Sequence, residues 1–221
     1  MCPSKVMLKL TKELAEFLGI LIGDGYLDLA RNRVIITGNI KKDKLYLSNY
    51  VKNLIENLFQ VKTIFWKQEN KGAYYLCLNS VKIISKLKEL NLEKTSIPSI
   101  IMRSNKNMKA NFLRGLADTD FTIYFKKGKN RKLHSYPVIC STFNSKFLVS
   151  QIKSLLSELG IRANIYAQKR YIANKFYNQY DIQIYGRKNL DIWLKNIGFN
   201  NARIFKKINL WRRQGFCKPQ I

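Results

Sequence analysis

Two aspartates, Asp24 and Asp120, are the candidates for catalytic or metal-binding residues, because of their carboxylate groups and their positions in the chain. Each follows an apolar stretch of helical spacing, and these stretches run from Phe17 to Gly25 and from Leu113 to Phe121. The dipole disfavours a carboxylate at the carbonyl end of a helix, and two adjacent carboxylates also repel each other. A divalent cation relieves both effects, and Mg²⁺ binds through one or two carboxylates, waters and substrate phosphates. The pattern therefore indicates metal-assisted phosphodiester chemistry.

The same stretches predict how the two aspartates come together. Small residues recur four positions apart in each stretch, Gly19 and Gly23 in the first and Gly115 and Thr119 in the second. Residues four apart share one face of a helix, and a face of small residues lets another helix backbone approach closely. We therefore expect the two helices to cross with these faces in contact and their aspartates side by side.

Both stretches resemble the motif of the LAGLIDADG homing endonucleases, in the form that carries two copies on one chain. The resemblance implies that Asp24 and Asp120 hold Mg²⁺ with help from the carbonyls of Gly23 and Thr119, and that Mn²⁺ or Ca²⁺ can substitute for binding. The second copy has Phe121 where the motif has Gly, so a left-handed helix stop is unavailable there. We expect that helix to run straight into a strand.

The rest of the chain predicts an α+β fold of tandem pseudo-twofold αββαββα repeats. The segment Tyr75 to Leu92 lines up with Tyr180 to Phe199, as expected of one unit used twice. We predict an N-terminal half at 1–92, a connection at 93–108, and a C-terminal half with a basic tail at 109–221. Two antiparallel four-stranded sheets should form a saddle, with helices on one face of each sheet and the other face free for DNA.

The predicted DNA contacts lie on these free faces and on basic loops. A two-stranded ribbon fits the major groove, where amide and basic side chains read purine edges. The base-reading candidates are Arg33, Thr37, Lys67, Gln68, Gln168 and Gln183, with Tyr185 on the same face as Gln183. The phosphate candidates are Lys126, Lys127, Lys129, Arg131, Lys169, Arg170 and Arg187. Any of these could equally be a solvated strand residue.

Two further expectations concern basic and aromatic residues. By resemblance, a lysine or glutamine near the scissile phosphates assists the reaction, and Lys126, Lys67 and Arg187 are the candidates. Trp66, Trp193 and Trp211 lie in apolar or amphipathic patterns and are expected to pack rather than to stack on bases.

Composition limits the partners. The formal net charge is +26 and the pI about 10.0, with basic residues spread along the chain, as expected of a folded surface that faces a polyanion. No apolar stretch reaches the ~18 residues of a membrane span. We see no cleavable signal sequence and expect a monomer in the cytoplasm or an organelle matrix, not secreted. Four scattered cysteines and a single histidine argue against zinc and against a histidine triad.

The function predicted is therefore a site-specific double-strand DNA endonuclease of intron homing. It would cut a long pseudo-palindromic target with Mg²⁺ and leave short 3′ overhangs. One alternative is a maturase that binds intron RNA on the same scaffold, and another is a non-cleaving DNA-binding regulator. Two acids facing DNA are unnecessary for binding alone, which argues against the regulator but not against a maturase that also cuts.

Overall fold

The computed structural model describes residues 9–127, 133–172 and 174–219. Its first half contains α1 (Lys12–Gly23), β1 (Gly25–Asp28), β2 (Arg33–Asn39), α2 (Lys52–Phe59), β3 (Ile64–Gln68), β4 (Ala73–Asn79) and α3 (Val81–Lys88). The short helix α4 (Ser99–Met102) lies in the connection between the halves. The second half contains α5 (Lys106–Asp120), β5 (Thr122–Lys127), β6 (His134–Phe143), α6 (Lys146–Glu158), β7 (Ala163–Ile172), β8 (Lys175–Tyr185) and α7 (Arg187–Asn196), and α8 (Ala202–Gln214) follows it.

The two halves have the same sheet topology. The strand order is β1-β2-β4-β3 in the first sheet and β5-β6-β8-β7 in the second, and neighbouring strands are antiparallel. In each half, one motif helix precedes the sheet and two further helices pack with it. The predicted α+β fold of tandem αββαββα units is confirmed.

The motif helices α1 and α5 form the centre of the core. Local caps fix where each begins: the hydroxyl of Thr11 accepts from the N–H of Leu14, and the side-chain oxygen of Asn105 accepts from the N–H of Met108, both at 3.1 Å. Phe17 on α1 is fully buried in the apolar cluster that spans both halves. Among the helices of the described ranges, none combines the length and apolar character needed to cross a bilayer.

Both motif helices end without a left-handed residue. Phe121 is extended (φ −92°, ψ 154°), so α5 leads directly into β5 as predicted. Gly25 already pairs in β1 and has no positive φ, so it does not end α1 in the left-handed conformation. The glycine is needed for space, because a β-carbon there would lie 2.6 Å from the Cα of Leu21.

Two features were not predicted from the sequence. The helix before β3 opens with a π-helical turn, Tyr46–Val51, which rotates the buried face so that Ile55 rather than Leu54 points fully inward. The basic C-terminal segment forms α8, whose Trp211 stacks on Phe125 with ring centroids 5.4 Å apart. This segment is therefore an ordered helix packed on the second sheet.

Candidate active site at the crossing of the motif helices

The α1–α5 crossing is built on backbone contact. A β-carbon on Gly19 would overlap the carbonyl oxygen of Phe112, and one on Gly115 would overlap the carbonyl oxygen of Glu16. Gly23 lies against the side chain of Thr119. The structure thus places the four small residues singled out in the sequence at the helix contact, and their size sets how closely the two helix ends approach.

This contact brings Asp24 and Asp120 together at the ends of the two helices. Asp24 follows α1, and its N–H donates to the carbonyl of Ile20 at 3.0 Å. Asp120 is the last residue of α5, and its carboxylate lies against Gly23. The backbone carbonyl of Asp120 accepts from the Ser141 hydroxyl at 2.8 Å, which ties this end of α5 to β6. The two carboxylates are therefore held by rigid elements.

Both carboxyls have raised pKa values. Burial raises the pKa of Asp24 to about 7, and the charges of Asp120 and Asp43 raise it further. Burial raises the pKa of Asp120 to about 6, while the Lys94 ammonium and the Thr119 hydroxyl oppose the shift. The negative charges of the two carboxylates are thus not fully compensated by nearby positive groups, and a bound cation would stabilise their charged forms.

Lys94 is a basic residue whose charge acts on both aspartates, and sequence reasoning missed its role. Its Nζ donates to the carbonyls of Leu21, Ile22 and Gly23 at 3.0, 2.7 and 2.5 Å, which caps the carbonyl end of α1. Burial lowers the pKa of Lys94, and the charges of Asp120 and Asp24 oppose that shift. The available signal was its place in the segment 94–98, just before the second motif helix.

The three candidates named for the assisting basic group point elsewhere. Lys67 binds Glu69 at 2.6 Å, and the Nζ of Lys126 lies 4.9 Å from the centre of the Tyr185 ring. Arg187 lies on the exposed face of α7. The charges that shift the pKa values of Asp24 and Asp120 include that of Lys94 and none of these three, so their role as the assisting group stays a prediction.

Two clefts flank the aspartate pair. The first cleft, of about 680 Å³, is lined by Gly23, Lys94 and Asp120 and by Arg170 of β7. The second cleft, of about 640 Å³, is lined by residues that include Thr119, Asp120, Asn201, Arg203 and Lys207. The first cleft therefore opens beside the end of α1 and the second beside the end of α5, and Asp120 lines both.

Asp118 has a structural role. Its carboxylate accepts from the N–H of Asn200 at 2.9 Å and from the N–H of Asn201 at 3.0 Å. Burial raises its pKa to about 7, and these N–H groups oppose the shift. Asp118 is a buried acid that holds the chain before α8.

The residues at the crossing fit a hard divalent cation. The donors on hand are carboxylate and carbonyl oxygens, and within the described ranges no group of three His, Cys, Asp or Glu side chains could form a closed metal cage. A site of two carboxylates that leaves positions for water and phosphate suits Mg²⁺ rather than structural Zn²⁺. The Gly23 carbonyl already accepts from Lys94, but it has a second lone pair to offer.

The first sheet presents a free face that is more aromatic than predicted. Strand register places Thr37, Tyr75 and Trp66 on it, and Gln68 lies on the same face as Trp66. Trp66 is 37% exposed and stacks on Tyr75 with ring centroids 5.3 Å apart, so its prediction as a packing residue is wrong. Lys67 points to the opposite face, because neighbouring strand residues alternate, and its prediction as a base reader on this face is also wrong.

The remaining predicted DNA contacts are Arg33 in the first sheet and several residues of the second sheet. Arg33 lies on the free face, where its Nε donates to Asp28 at 3.0 Å. In the second sheet, Gln183 pairs with Asn164 and Gln168 pairs with Gln179, which puts all four on one face with Tyr185. Lys126, Lys127, Lys169, Arg170 and Arg187 are exposed. Arg170 lies on the same face as Gln168, whereas its neighbour Lys169 lies on the opposite face, because strand residues alternate. Lys129 and Arg131 lie outside the described residues.

The polar residues of the second free face contact one another. Asp181 accepts from Gln168 at 2.5 Å and from Thr142 at 2.6 Å, and the hydroxyl of Tyr185 donates to Gln183. These contacts hold the polar side chains of this face against one another. This face has a cluster of polar side chains, whereas that of the first sheet combines polar residues such as Arg33 and Thr37 with the stacked pair Trp66 and Tyr75.

Comparison with known proteins agrees with this geometry. Residues 107–198 match the family model of the LAGLIDADG-like domain. The chain is 31% identical over 202 residues to the replication factor C small subunit of Methanocaldococcus jannaschii, a match that covers 89% of this chain and 10% of that protein. The chain therefore spans about a tenth of the length of this curated relative.

Solved structures share the fold across most of the chain. I-DmoI in complex with DNA and Mn superposes with a TM-score of 0.59 at 18% identity, covering 86% of this chain and 98% of that one. The N-terminal LAGLIDADG domain of DUF199/WhiA superposes with a TM-score of 0.52 at 14% identity, covering 88% of this chain and 85% of that one. At sequence identities of 18% and 14%, the structural likeness shows that the fold is shared.

The fold and the paired motif helices are those of the two-motif LAGLIDADG structures that the chain resembles. Residues 107–198 form its LAGLIDADG-like domain, and the family recognised from the two sequence motifs is confirmed.

Proposed function

We propose that this protein is a site-specific DNA endonuclease that cuts both strands of a duplex with a divalent metal ion. The observation that carries the proposal is the meeting of Asp24 and Asp120 beside Lys94, at the junction of two sheets with free faces. The fold is that of I-DmoI, which is named a homing endonuclease and has been crystallised with DNA and Mn and with DNA and Ca.

The partner proposed is a long, imperfectly palindromic duplex bound by one monomer. A net charge of +26 favours a polyanion. The two sheets repeat the same topology with different free faces, so each would contact a different half of the target. Gln168, Gln183 and Tyr185 would contact bases in one half-site, and Gln68, Thr37 and Trp66 would contact the other.

The residues at the helix crossing have separate tasks in the proposed reaction. Asp24 and Asp120 would hold Mg²⁺, with the carbonyls of Gly23 and Thr119 as further ligands. When bound, the ion supplies positive charge to the attacking and leaving oxygens. Lys94 adds a fixed ammonium beside Asp120, where it can neutralise a phosphate oxygen.

The reaction proposed is phosphodiester hydrolysis. A water oxygen bonds to phosphorus while the phosphorus–oxygen bond to the leaving strand breaks. The water loses a proton to solvent, and the leaving oxygen takes one up. Short 3′ overhangs and a role in intron homing are the finer parts of this proposal, and they rest on the family resemblance.

A second candidate is a binding protein on the same scaffold. The same fold occurs in the WhiA domain, which is not named as a nuclease. The raised pKa values of Asp24 and Asp120 favour the nuclease, because burying two adjacent acids is costly for a protein that only binds DNA. An intron RNA maturase would keep the aspartates only if it also cuts.

The test is a comparison of cutting and binding by the wild-type protein. A target is selected from a library of random duplexes and placed in a plasmid, which is incubated with Mg²⁺ or with EDTA. The proposal expects linear product with Mg²⁺ and bound, uncut plasmid with EDTA. Tight binding of the selected duplex without cutting in Mg²⁺ would overturn it in favour of the regulator, and preferential binding of structured RNA without DNA cutting would favour the maturase.

A further inference from the structure

The second half carries a strand hairpin that is longer than its counterpart in the first half. In the first sheet, β4 pairs with β2 along its whole length, from Ala73 to Asn79. In the second sheet, β8 pairs with β6 only from Tyr180 onward, so within the described part of the chain residues 175–179 pair with β7 alone. At ~3.3 Å per residue, the hairpin extends about 16 Å beyond the sheet. This two-stranded extension, residues 168–172 with 175–179, is named the β7–β8 ribbon.

The base of the β7–β8 ribbon lies at the proposed reaction centre. Arg170 and Gln179 line the first cleft, and so do Asp120 and Lys94. The two strands of the ribbon continue past Arg170 and Gln179, so the end of the ribbon lies beyond the end of the second sheet. A duplex whose backbone entered the first cleft would therefore meet the ribbon close to the cut.

The end of the ribbon carries an exposed aromatic pair, Tyr171 and Phe176. The two residues are opposite each other in the strand register, and their ring centroids are 4.9 Å apart. Their exposed fractions are 62% and 75%. The hydroxyl of Tyr171 donates at 3.3 Å to the side chain of Asn174, which has a positive φ of 62° in the turn between the strands. The rings are thus presented to solvent on an ordered hairpin.

Both faces of the ribbon combine a cation with an aromatic ring. Strand alternation and register put Arg170, Lys175 and Tyr177 on one face, and Lys169 and the aromatic pair on the other. The sequence from 159 to 180 contains no Asp or Glu. A flat partner surface would cover one face only, whereas a groove of duplex DNA has a phosphate backbone on either side and admits a two-stranded ribbon.

We propose that the β7–β8 ribbon enters a groove of the bound duplex beside the first cleft, and that Tyr171 and Phe176 wedge open a base step there. This inference rests on the proposed endonuclease function. Apolar side chains inserted at a base step unstack it and distort the duplex, while the cations on the two faces neutralise the flanking phosphates. The opened step makes the adjoining backbone easier to draw toward the aspartates.

The first experiment measures unstacking without cutting. A duplex selected from a random library carries 2-aminopurine at successive positions around the cut, and its fluorescence is followed on binding in EDTA. Because 2-aminopurine brightens when it is unstacked, we expect the wild type to raise the signal at one step by at least ~3-fold. The Tyr171→Ser/Phe176→Ser variant should raise it by less than ~1.3-fold. The control Val81→Ser, which changes an exposed apolar residue of α3, should behave as the wild type does.

The second experiment asks whether the wedge serves cutting. Two stacked rings lost from the complex should slow single-turnover cutting of the matched duplex in Mg²⁺ by ~10-fold or more at saturating protein. A mismatch at the step that brightens makes that step easier to open, so the double serine variant should recover most of its rate on the mismatched duplex. A merely damaged ribbon would slow the cutting of both duplexes alike.

Several results would overturn the inference. They are the absence of a fluorescence rise with the wild type, the same rise with the double serine variant, and equal slowing on matched and mismatched duplexes. A dimer of the free protein that the variant loses in sedimentation, with its fluorescence signal unchanged, would assign the rings to a second copy and would also overturn it. A wild type that binds the selected duplex and cuts neither strand fails the proposed function, and the measurement in EDTA is independent of that result. Failure to bind any duplex would overturn both.

Discussion

Gly19 and Gly115 lie across from each other at the α1–α5 crossing, and each faces a backbone carbonyl of the opposite helix. The pair fixes the distance between the helix ends and hence between Asp24 and Asp120. Neither residue can gain a methyl group without moving a helix backbone, so the geometry of the site depends on two residues without functional groups.

Gly115→Ala should therefore destabilise the fold. Alanine alone would favour the helix by about 1 kcal/mol relative to glycine. The overlap with the Glu16 carbonyl should outweigh this gain and lower the free energy of unfolding by at least about 2 kcal/mol. Urea denaturation measures the change, with Ser154→Ala on the exposed face of α6 as the control. A more stable Gly115→Ala protein would contradict the close backbone contact.

Stability should fall as the pH rises from 5 to 8. Burial raises the pKa of Asp118 to about 7 in the folded state, above its ordinary value of 3.8. Over this range the folded protein retains a proton that the unfolded chain releases, so the free energy of unfolding decreases with pH. Asp24 and Asp120 act in the same direction.

The contribution of Asp118 can be isolated. Asp118→Asn keeps an oxygen that accepts from the N–H groups of Asn200 and Asn201 but cannot titrate. Its unfolding free energy, from urea titrations at pH 5, 6, 7 and 8, should depend less on pH than that of the wild type. Parallel pH profiles for the two proteins would contradict the raised pKa of this carboxyl.

Mg²⁺ should stabilise the protein at pH 8, where the aspartate pair carries its full charge. A ligand at ten times its dissociation constant adds about 1.4 kcal/mol to stability. We expect Mg²⁺ to raise the melting temperature of the wild type and of Asp191→Asn, an exposed control, and to leave the Asp24→Asn/Asp120→Asn variant unchanged. An equal rise in all three would show that Mg²⁺ binds elsewhere.

The free face of the first sheet can be tested with two neighbouring residues. Trp66 lies on that face and Lys67 on the opposite one. Trp66→Ala should weaken binding of a selected duplex by at least ~5-fold through lost apolar contact in the groove. Lys67→Ala removes one distant charge and should change affinity less than ~3-fold. Fluorescence anisotropy at one fixed salt concentration gives both values, and a larger effect of Lys67→Ala would place the DNA on the other face.

The fold was largely predictable because its main signals are local. Helical spacing in the two motifs, strand alternation and the repeat between Tyr75–Leu92 and Tyr180–Phe199 each depend on near neighbours in sequence. The small residues Gly19 and Gly115 also predicted one contact between residues distant in sequence, the crossing of α1 and α5. From these features the two sheets and the helix crossing follow.

The parts that were missed depend on contacts distant in sequence. Lys94 binds carbonyls 71 to 73 residues away, and nothing in its local segment specifies that reach. The π-helical turn at Tyr46–Val51 changes which residues face inward without changing the composition. Trp66 has a core-like residue type, and its exposure is set by strand register rather than by hydrophobicity.

The central claim is that Asp24 and Asp120, one from each motif helix, form a metal-dependent centre that cuts DNA. Single-turnover cutting of a selected target in Mg²⁺ tests it directly for the wild type, Asp24→Asn, Asp120→Asn and the control Asp191→Asn. The account predicts linear product for the wild type and the control, and a loss of at least ~100-fold for either motif aspartate with target binding retained. Undiminished cutting by Asp24→Asn or Asp120→Asn would contradict it.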